Sequence, residues 1–274
     1  YPKGKVSEVQ ERQLIVERPG VDVLAVEGTF DDCQRMVKEA FVDDDLREYG
    51  LSSANSINVG RLLPQMLYYF WAARQIGEPR PYFCVPSGNL GNLTGGVLAH
   101  LSGLEVPRFI AAHNENDFFP EYLAGRTDEF RESVRTLSNA MDVGAPSNFE
   151  RLEYLLGRDA LEELVWGTSV TDPETRARMA EVYRETGYVA CPHTSVGLEA
   201  ARRHRAEFGS ERPIVVLATA HPAKFPETVS ETLDVDLTEP EALARLRDRP
   251  TAARPAPPTL EALKDHLLAR RSAG

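Results

Sequence analysis

Two short stretches of this chain are rich in groups that hold anions. The first, Ser87-Gly88-Asn89-Leu90-Gly91-Asn92, sits between an apolar run and a helical one. A tight turn in that position aims unpaired backbone N–H groups at one point, and such a point attracts phosphate. Gly88 and Gly91 permit close approach, while Ser87, Asn89 and Asn92 can add side-chain hydrogen bonds to the same oxygens. The loop has neither the lysine of a P-loop nor the glycine spacing of a dinucleotide fingerprint, so taken alone it reads equally well as an ordinary strand-to-helix connection. The second stretch, Ser52-Ser53-Ala54-Asn55-Ser56-Ile57-Asn58-Val59-Gly60-Arg61, offers hydroxyls, amides and a guanidinium whose planar fork matches phosphate or carboxylate. Its alternative is an Asn/Ser-rich helix cap beside a solvated arginine.

A third group, Thr219-Ala220-His221-Pro222-Ala223-Lys224-Phe225, follows the best strand in the sequence, at the kind of strand end where open α/β sheets place ligands. Lys224 brings an amine capable of Schiff-base chemistry. His113, His193 and His221 read as hydrogen-bonded scaffold residues, because no Ser/His/Asp ordering suggests a hydrolytic triad. Cys33, Cys84 and Cys191 form no CxxC pair and no His/Cys cluster at metal-ligand spacing, so no metal site is expected and the cysteines read as those of a reduced, cytosolic protein.

The elements that must position these groups alternate. Tyr82–Val85 reads as a strand, Leu93–Leu101 as a helix, and Arg108–Ala112 and Ile214–Ala218 as further strands, which predicts an α/β fold with a mostly parallel sheet flanked by helices. Upstream, Val21–Val26 predicts a strand, followed by a helix capped by Asp31 or Asp32 that carries Cys33, Met36, Val37, Ala40 and Phe41 on one face. The acidic run Asp43–Asp45 reads as a solvated helix end. Val59, Leu62, Leu63, Met66, Leu67, Phe70 and Trp71 recur at helical spacing, with Pro64 in the early turns, and the stripe Tyr68–Trp71 is expected to pack in the core. After Ser230 the chain turns acidic and proline-rich before a last helix from about Leu260 to Leu268. A net charge of −11 without a basic stripe argues against nucleic acid, and no apolar run is long enough for a membrane span.

With these residues in view, the chain resembles threonine synthases of the bacterial and fungal type. The resemblance rests on Tyr-Pro-Lys-Gly-Lys-Val-Ser at 1 to 7, Ser-Ala-Asn-Ser-Ile-Asn-Val-Gly-Arg at 53 to 61 and Val-Pro-Ser-Gly-Asn-Leu-Gly-Asn at 85 to 92. It continues through Thr-Leu-Ser-Asn-Ala-Met-Asp-Val-Gly-Ala-Pro-Ser-Asn at 136 to 148, Pro-His-Thr-Ser-Val-Gly at 192 to 197 and Thr-Ala-His-Pro-Ala-Lys-Phe at 219 to 225. It implies a fold-type-II, tryptophan synthase β-like enzyme that uses pyridoxal 5'-phosphate to convert O-phospho-L-homoserine and water into L-threonine and phosphate. By the same resemblance, Ser87, Gly88, Asn89, Leu90, Gly91 and Asn92 hold the cofactor phosphate and Thr219 faces the ring nitrogen. Asn55, Ser56, Asn58 and Arg61 look like the substrate-phosphate site.

Leu90 departs from the family, which usually has Phe there. A larger departure is that the family's Schiff-base lysine, in a motif resembling Leu-Ala-Phe-Lys-Asp, and its carboxylate loop, resembling Ser-Gly-Asp-Thr-Gly, occur nowhere in the 274 residues. The resemblance therefore implies an N-terminally truncated chain with no catalytic residue of its own, inactive alone, with the missing N-terminal segment as a partner in trans. Residues 1–56 are expected to complete a small mobile α/β domain, and 57–274 to form the large cofactor domain with a C-terminal helical tail. A phospho-lyase relative and a non-catalytic binding subunit are the competing readings.

Overall fold

The structure, a computed structural model, describes residues 1–271. The chain folds as two compact units, Tyr1–Ser52 with the chain from Thr238 onward, and Ser53–Leu237. In the first unit, Ser7 and Gln10 form a reciprocal capping box that starts α1 (Glu8–Ile15). Strand β1 (Leu24–Val26) is shorter than expected, and α2 (Phe30–Val42) is capped by Thr29 rather than by an aspartate. Asp32 instead supplies the third-position partner of a second capping box, accepting from Thr29 N–H at 2.8 Å. Met36 and Ala40 are buried on the inner face of α2. Asp43, in the acidic run, caps the 3-10 helix Asp44–Tyr49 and pairs with Lys264 at 3.1 Å.

The second unit opens differently from its periodicity. A single helix from Val59 is predicted, but the chain makes two 3-10 turns, Val59–Arg61 and Leu63–Gln65, before α3 (Met66–Ile76) begins. The physical reason is at hand: Asn58 caps the first turn through Gly60 N–H at 2.9 Å, and Pro64 starts the second without an N–H to give. The aromatic stripe is corrected too. Tyr69 is fully buried, but Leu67 and Trp71 are 69% and 66% exposed, so only one edge of α3 faces the core.

The strands that carry the site follow in β-α alternation. They are β2 (Tyr82–Pro86), α4 (Gly91–Leu101), β3 (Phe109–His113) and α5 (Phe118–Leu123), then α6 (Phe149–Leu156), α7 (Arg158–Leu164) and β4 (Val165–Ser169). Helices α8 (Asp172–Thr186) and α9 (Pro192–Phe208), β5 (Ile214–Val216) and α10 (Pro226–Leu233) complete the unit. The four strands form one parallel sheet in the order β4-β3-β2-β5. Phe83, Cys84, Val85, Phe109, Ile110 and Ala111 are wholly buried, the run expected of central strands covered on both faces. Tyr69 stacks edge-on to Phe83 at 5.0 Å and to Phe109 at 6.0 Å, locking α3 to the sheet.

The C-terminal segment then runs through α11 (Glu241–Ala244), β6 (Arg254–Ala256) and α12 (Leu260–Arg271). Strand β6 pairs in parallel with β1, with Leu24 opposite Arg254, and α12 packs on α2. That pairing gathers the tail into the first unit, where the sequence places it in the larger domain with a boundary at 56.

Glu199 on α9 ties three elements together. It accepts from Arg178 of α8 at 3.0 Å and from Arg202 and Arg203 at 2.7 and 2.9 Å, while Arg203 also donates to Ser169 O of β4 at 2.7 Å. Burial alone raises its pKa, but the bonds from Arg202, Arg203 and Arg178 outweigh that and hold it at about 2, below its ordinary 4.5. A depressed carboxylate stabilises the fold above its unfolded pKa and loses that contribution as pH falls toward the folded value. The denaturant midpoint is therefore expected to fall between pH 4.5 and about 2, and E199Q to flatten that fall in pH-resolved urea titrations. Phe109→Ala, which empties the fully buried ring site, is expected to lower unfolding free energy by about 3–5 kcal/mol in the same titration at pH 7.

Candidate functional site

Strands β2 and β5 are hydrogen-bonded neighbours, with Cys84 opposite Val216 and Leu217 N–H donating to Cys84 O at 2.9 Å. Ser87 follows β2 directly and Thr219 lies three residues past β5, both beyond the carboxyl ends of neighbouring parallel strands. In open parallel sheets this edge forms the ligand crevice. The structure thus brings the glycine loop and Thr219, which is exposed, to the same sheet edge.

Ser87 closes the strand end. Its N–H donates to Ala112 O at 2.8 Å and its buried hydroxyl to Val85 O at 2.8 Å, so both donors are spent inside the fold. Gly88 lies flat on another backbone segment, since a Cβ there would stand 2.6 Å from Met141 Cα. Leu90 takes the left-handed conformation, φ 59°, uncommon for a residue with a side chain, and its buried side chain holds the turn against the core. The first bond of α4 runs from Thr94 N–H to Leu90 O at 2.9 Å. The N–H groups of Gly91, Asn92 and Leu93 therefore have no carbonyl within the helix to meet, and the helix dipole adds partial positive charge there.

Asn92 is oriented from behind. Tyr68 and Tyr69 hydroxyls both donate to its Oδ1, at 2.5 and 2.7 Å, which leaves the amide NH2 as its free-facing end. Burial pushes the Tyr69 phenol well above its ordinary pKa, keeping it a donor. Asn89 is committed differently: its NH2 donates to Ser56 Oγ at 2.8 Å, and its Oδ1 accepts from Ser147 N–H at 2.6 Å. Its side chain thus joins loops inside the protein.

The second loop arrives at the same place. A Cβ on Gly91 would meet Ser56 Cβ at 2.7 Å, so the Gly91 backbone packs directly on the Ser56 side chain. Asn55 Oδ1 accepts from the Ser56 hydroxyl and from Ile57 N–H, each at 3.2 Å, and Asn58 NH2 donates to Ser53 O at 3.0 Å. Arg61 is exposed, and among the described residues its guanidinium has no carboxylate partner. Asn55, Ser56 and Asn58 are half-buried around it.

The histidines divide. His113 and His193 are buried, and desolvation pushes both down to about 4, so they are neutral scaffold residues. His193 Nε2 accepts from Ala140 N–H at 3.2 Å. His221 is exposed, and its Nδ1 accepts from Ala223 N–H at 3.1 Å to start the short turn Pro222–Lys224 that carries Lys224.

Reading by residue type missed the support of these loops. Met141 seats Gly88, and Asp142 holds Met141 in place by accepting from Asn114 at 2.9 Å and from the Thr136 hydroxyl and N–H at 2.7 and 3.0 Å. Ser147 and Asn148, just before α6, brace Asn89, and Arg151 on α6 braces Ser56. The Asn- and Ser-rich stretch at 136 to 148 carried a signal; nothing local marks Arg151.

The family model for pyridoxal-phosphate dependent enzymes matches residues 2–220, and one described as threonine synthase, C-terminal, matches 194–267. The chain is 41% identical over 276 residues to a threonine synthase of Buchnera aphidicola, covering 98% of this chain and 63% of that protein. It superposes on the crystal structure of threonine synthase from Escherichia coli with TM-score 0.92 at 39% identity, covering 98% of this chain and 63% of that one. For the PLP-bound threonine synthase from Brucella melitensis the TM-score is 0.82 at 34% identity, covering 97% and 63%. The chain thus spans 63% of the length of these relatives. The parallel sheet flanked by helices is the fold-type-II architecture.

Gly88→Ala forces a methyl group into the Met141 backbone. In the unaltered chain, amide NMR signals of 88 to 92 are expected to move on adding inorganic phosphate; in G88A they are expected to stay in place.

Proposed function

The chain belongs to the family of pyridoxal-phosphate dependent enzymes, and from that premise we propose that it carries the two phosphate sites of a threonine synthase. In this reading the Gly88–Asn92 loop takes the phosphate of pyridoxal 5'-phosphate, and Asn55, Ser56, Asn58 and Arg61 take that of O-phospho-L-homoserine. The observation that carries it is the meeting of the two loops at Ser56, Asn89 and Gly91. A substrate phosphate and a cofactor phosphate held by these loops would be near enough for the two small molecules to meet.

The cofactor supplies, when bound, a conjugated ring that accepts electrons from the substrate carbons. The chain's own residues do the holding. The backbone amides of Gly91 and Asn92 and the Asn92 NH2 grip the cofactor phosphate at the positive end of α4. The Thr219 hydroxyl would serve the ring nitrogen of the bound cofactor, and being neutral it would not hold a proton there as a carboxylate would. Arg61 stabilises the charge that builds on the departing phosphate, and its planar fork keeps that group oriented. Water adds to the substrate after phosphate leaves, giving L-threonine.

The proton-moving lysine of the family motif is absent from these 274 residues, so the chain by itself is inactive in this reading. No helix among the described residues is long and apolar enough to cross a membrane, and the three cysteines are free; we place the protein in the cytoplasm, acting on small molecules.

Equilibrium dialysis and product analysis test this. The chain is expected to bind pyridoxal 5'-phosphate, to release it on dialysis, and to form no threonine from O-phospho-L-homoserine. Cofactor retained through dialysis and fixed by borohydride to Lys224 would overturn the assignment, as would failure to bind the cofactor at all.

A further inference from the structure

Arg151, on the first turns of α6, touches neither loop's anion-facing groups, yet it is bonded directly to the framework of the Asn55–Arg61 loop and, through Asn148, to that of the Gly88–Asn92 loop. One arm of its guanidinium donates to Ser56 O at 3.2 Å and the other to Ile57 O at 2.9 Å. The first arm also donates to Asn148 Oδ1. Asn148, in turn, donates through its NH2 to Asn89 O at 2.9 Å, and Asn89 donates to Ser56 Oγ at 2.8 Å. These contacts close a ring: Ser56, Asn89, Asn148, Arg151 and back to Ser56. Each member is half-buried or buried, so solvent does not easily replace the bonds.

The ring's geometry differs from that of a general brace. A guanidinium is planar and its donors are fixed relative to one another, so bonding two successive carbonyls sets the orientation of both peptide groups at once. Those peptides carry Ser56 and lead into Asn58 and Arg61. Through Asn148 the same plane bears on the carbonyl of Asn89, one residue before Leu90 and the start of α4. Neither loop can shift without straining a bond of the other.

We propose that Arg151 is a positioning residue that couples the two phosphate sites, so that filling the Gly88–Asn92 loop pre-forms the Asn55–Arg61 loop and the reverse. The inference rests on the reading that both loops bind phosphate. By linkage, each ligand must then tighten the other by the same factor. Arg151 makes this happen by removing the freedom each loop would otherwise lose separately.

The test uses the 274-residue chain and two probes: pyridoxamine 5'-phosphate, which carries the cofactor's ring and phosphate but no aldehyde to react, and O-phospho-L-homoserine. Each is titrated calorimetrically alone and with the other saturating. In the unaltered chain each is expected to tighten the other by about fivefold or more. In R151M the factor is expected to fall to one. R151K, whose single ammonium cannot span two carbonyls and Asn148 together, is expected to fall between. N148A, which opens the ring one joint away, is expected to behave as R151M, and it carries the test if circular dichroism shows R151M unfolded. Coupling kept at the unaltered value in folded R151M or N148A overturns the proposal, and so does binding of both probes to the unaltered chain without coupling. If the unaltered chain binds neither probe, the two-site reading itself falls, and the ring is then only a structural brace.

Discussion

The contact on which the site depends is the bare backbone of Gly91 lying on the Ser56 side chain. With no side chain at 91, the start of α4 and the Ser56 loop approach closely enough for Asn89 to reach the Ser56 hydroxyl. Gly88 repeats the arrangement on the other side of the turn, against Met141. The loop is thus pressed between two segments far from it in sequence, and its shape is imposed from outside. This explains how Leu90 sits at positive φ: the left-handed conformation costs roughly 1 kcal/mol, and burial of its side chain and close packing on both flanks offset that cost.

Polar groups around the turn divide into those that face outward and those that are spent on construction. Ser87, Asn89, Ser147, Asn148 and Asp142 use their hydrogen bonds within the protein. The amides of Gly91 and Asn92 and the guanidinium of Arg61 do not. A turn in which most polar groups are already paired leaves few donors free. Pairing the others within the fold recovers what a buried donor loses on leaving water.

The parts of this arrangement that were legible from residues are the local ones. Tyr82–Val85 followed by Gly and Asn reads as strand and turn because both signals lie within a few residues, and the carboxyl-edge placement of Thr219 follows from the alternation of elements. What escaped was set by distant partners. The apolar spacing from Val59 to Trp71 fits a helix, but Asn58 and Pro64 divide it, and periodicity does not weigh caps. Asp31 and Asp32 each fit a cap, but Thr29 wins because Asp32 can answer it from the third helical position. Arg151 resembles any other arginine on an amphipathic helix; only the return of the chain beside Ser56 and Ile57 distinguishes it. The tail's grouping with the first unit likewise depends on a strand pairing across more than two hundred residues.

The outward face of α3 and the turns before it bears on how copies of the chain behave together. Val59, Leu63, Leu67 and Trp71 are each about half exposed or more, and Phe70 is partly so. Water wets such a surface poorly, and two of them attract at short range without needing a matched register. A net charge of −11 on every copy opposes the approach over roughly a Debye length. The chain's colloidal behaviour is therefore a balance between a short-range apolar attraction and a longer-range repulsion that salt screens, so rising ionic strength lets copies come closer together.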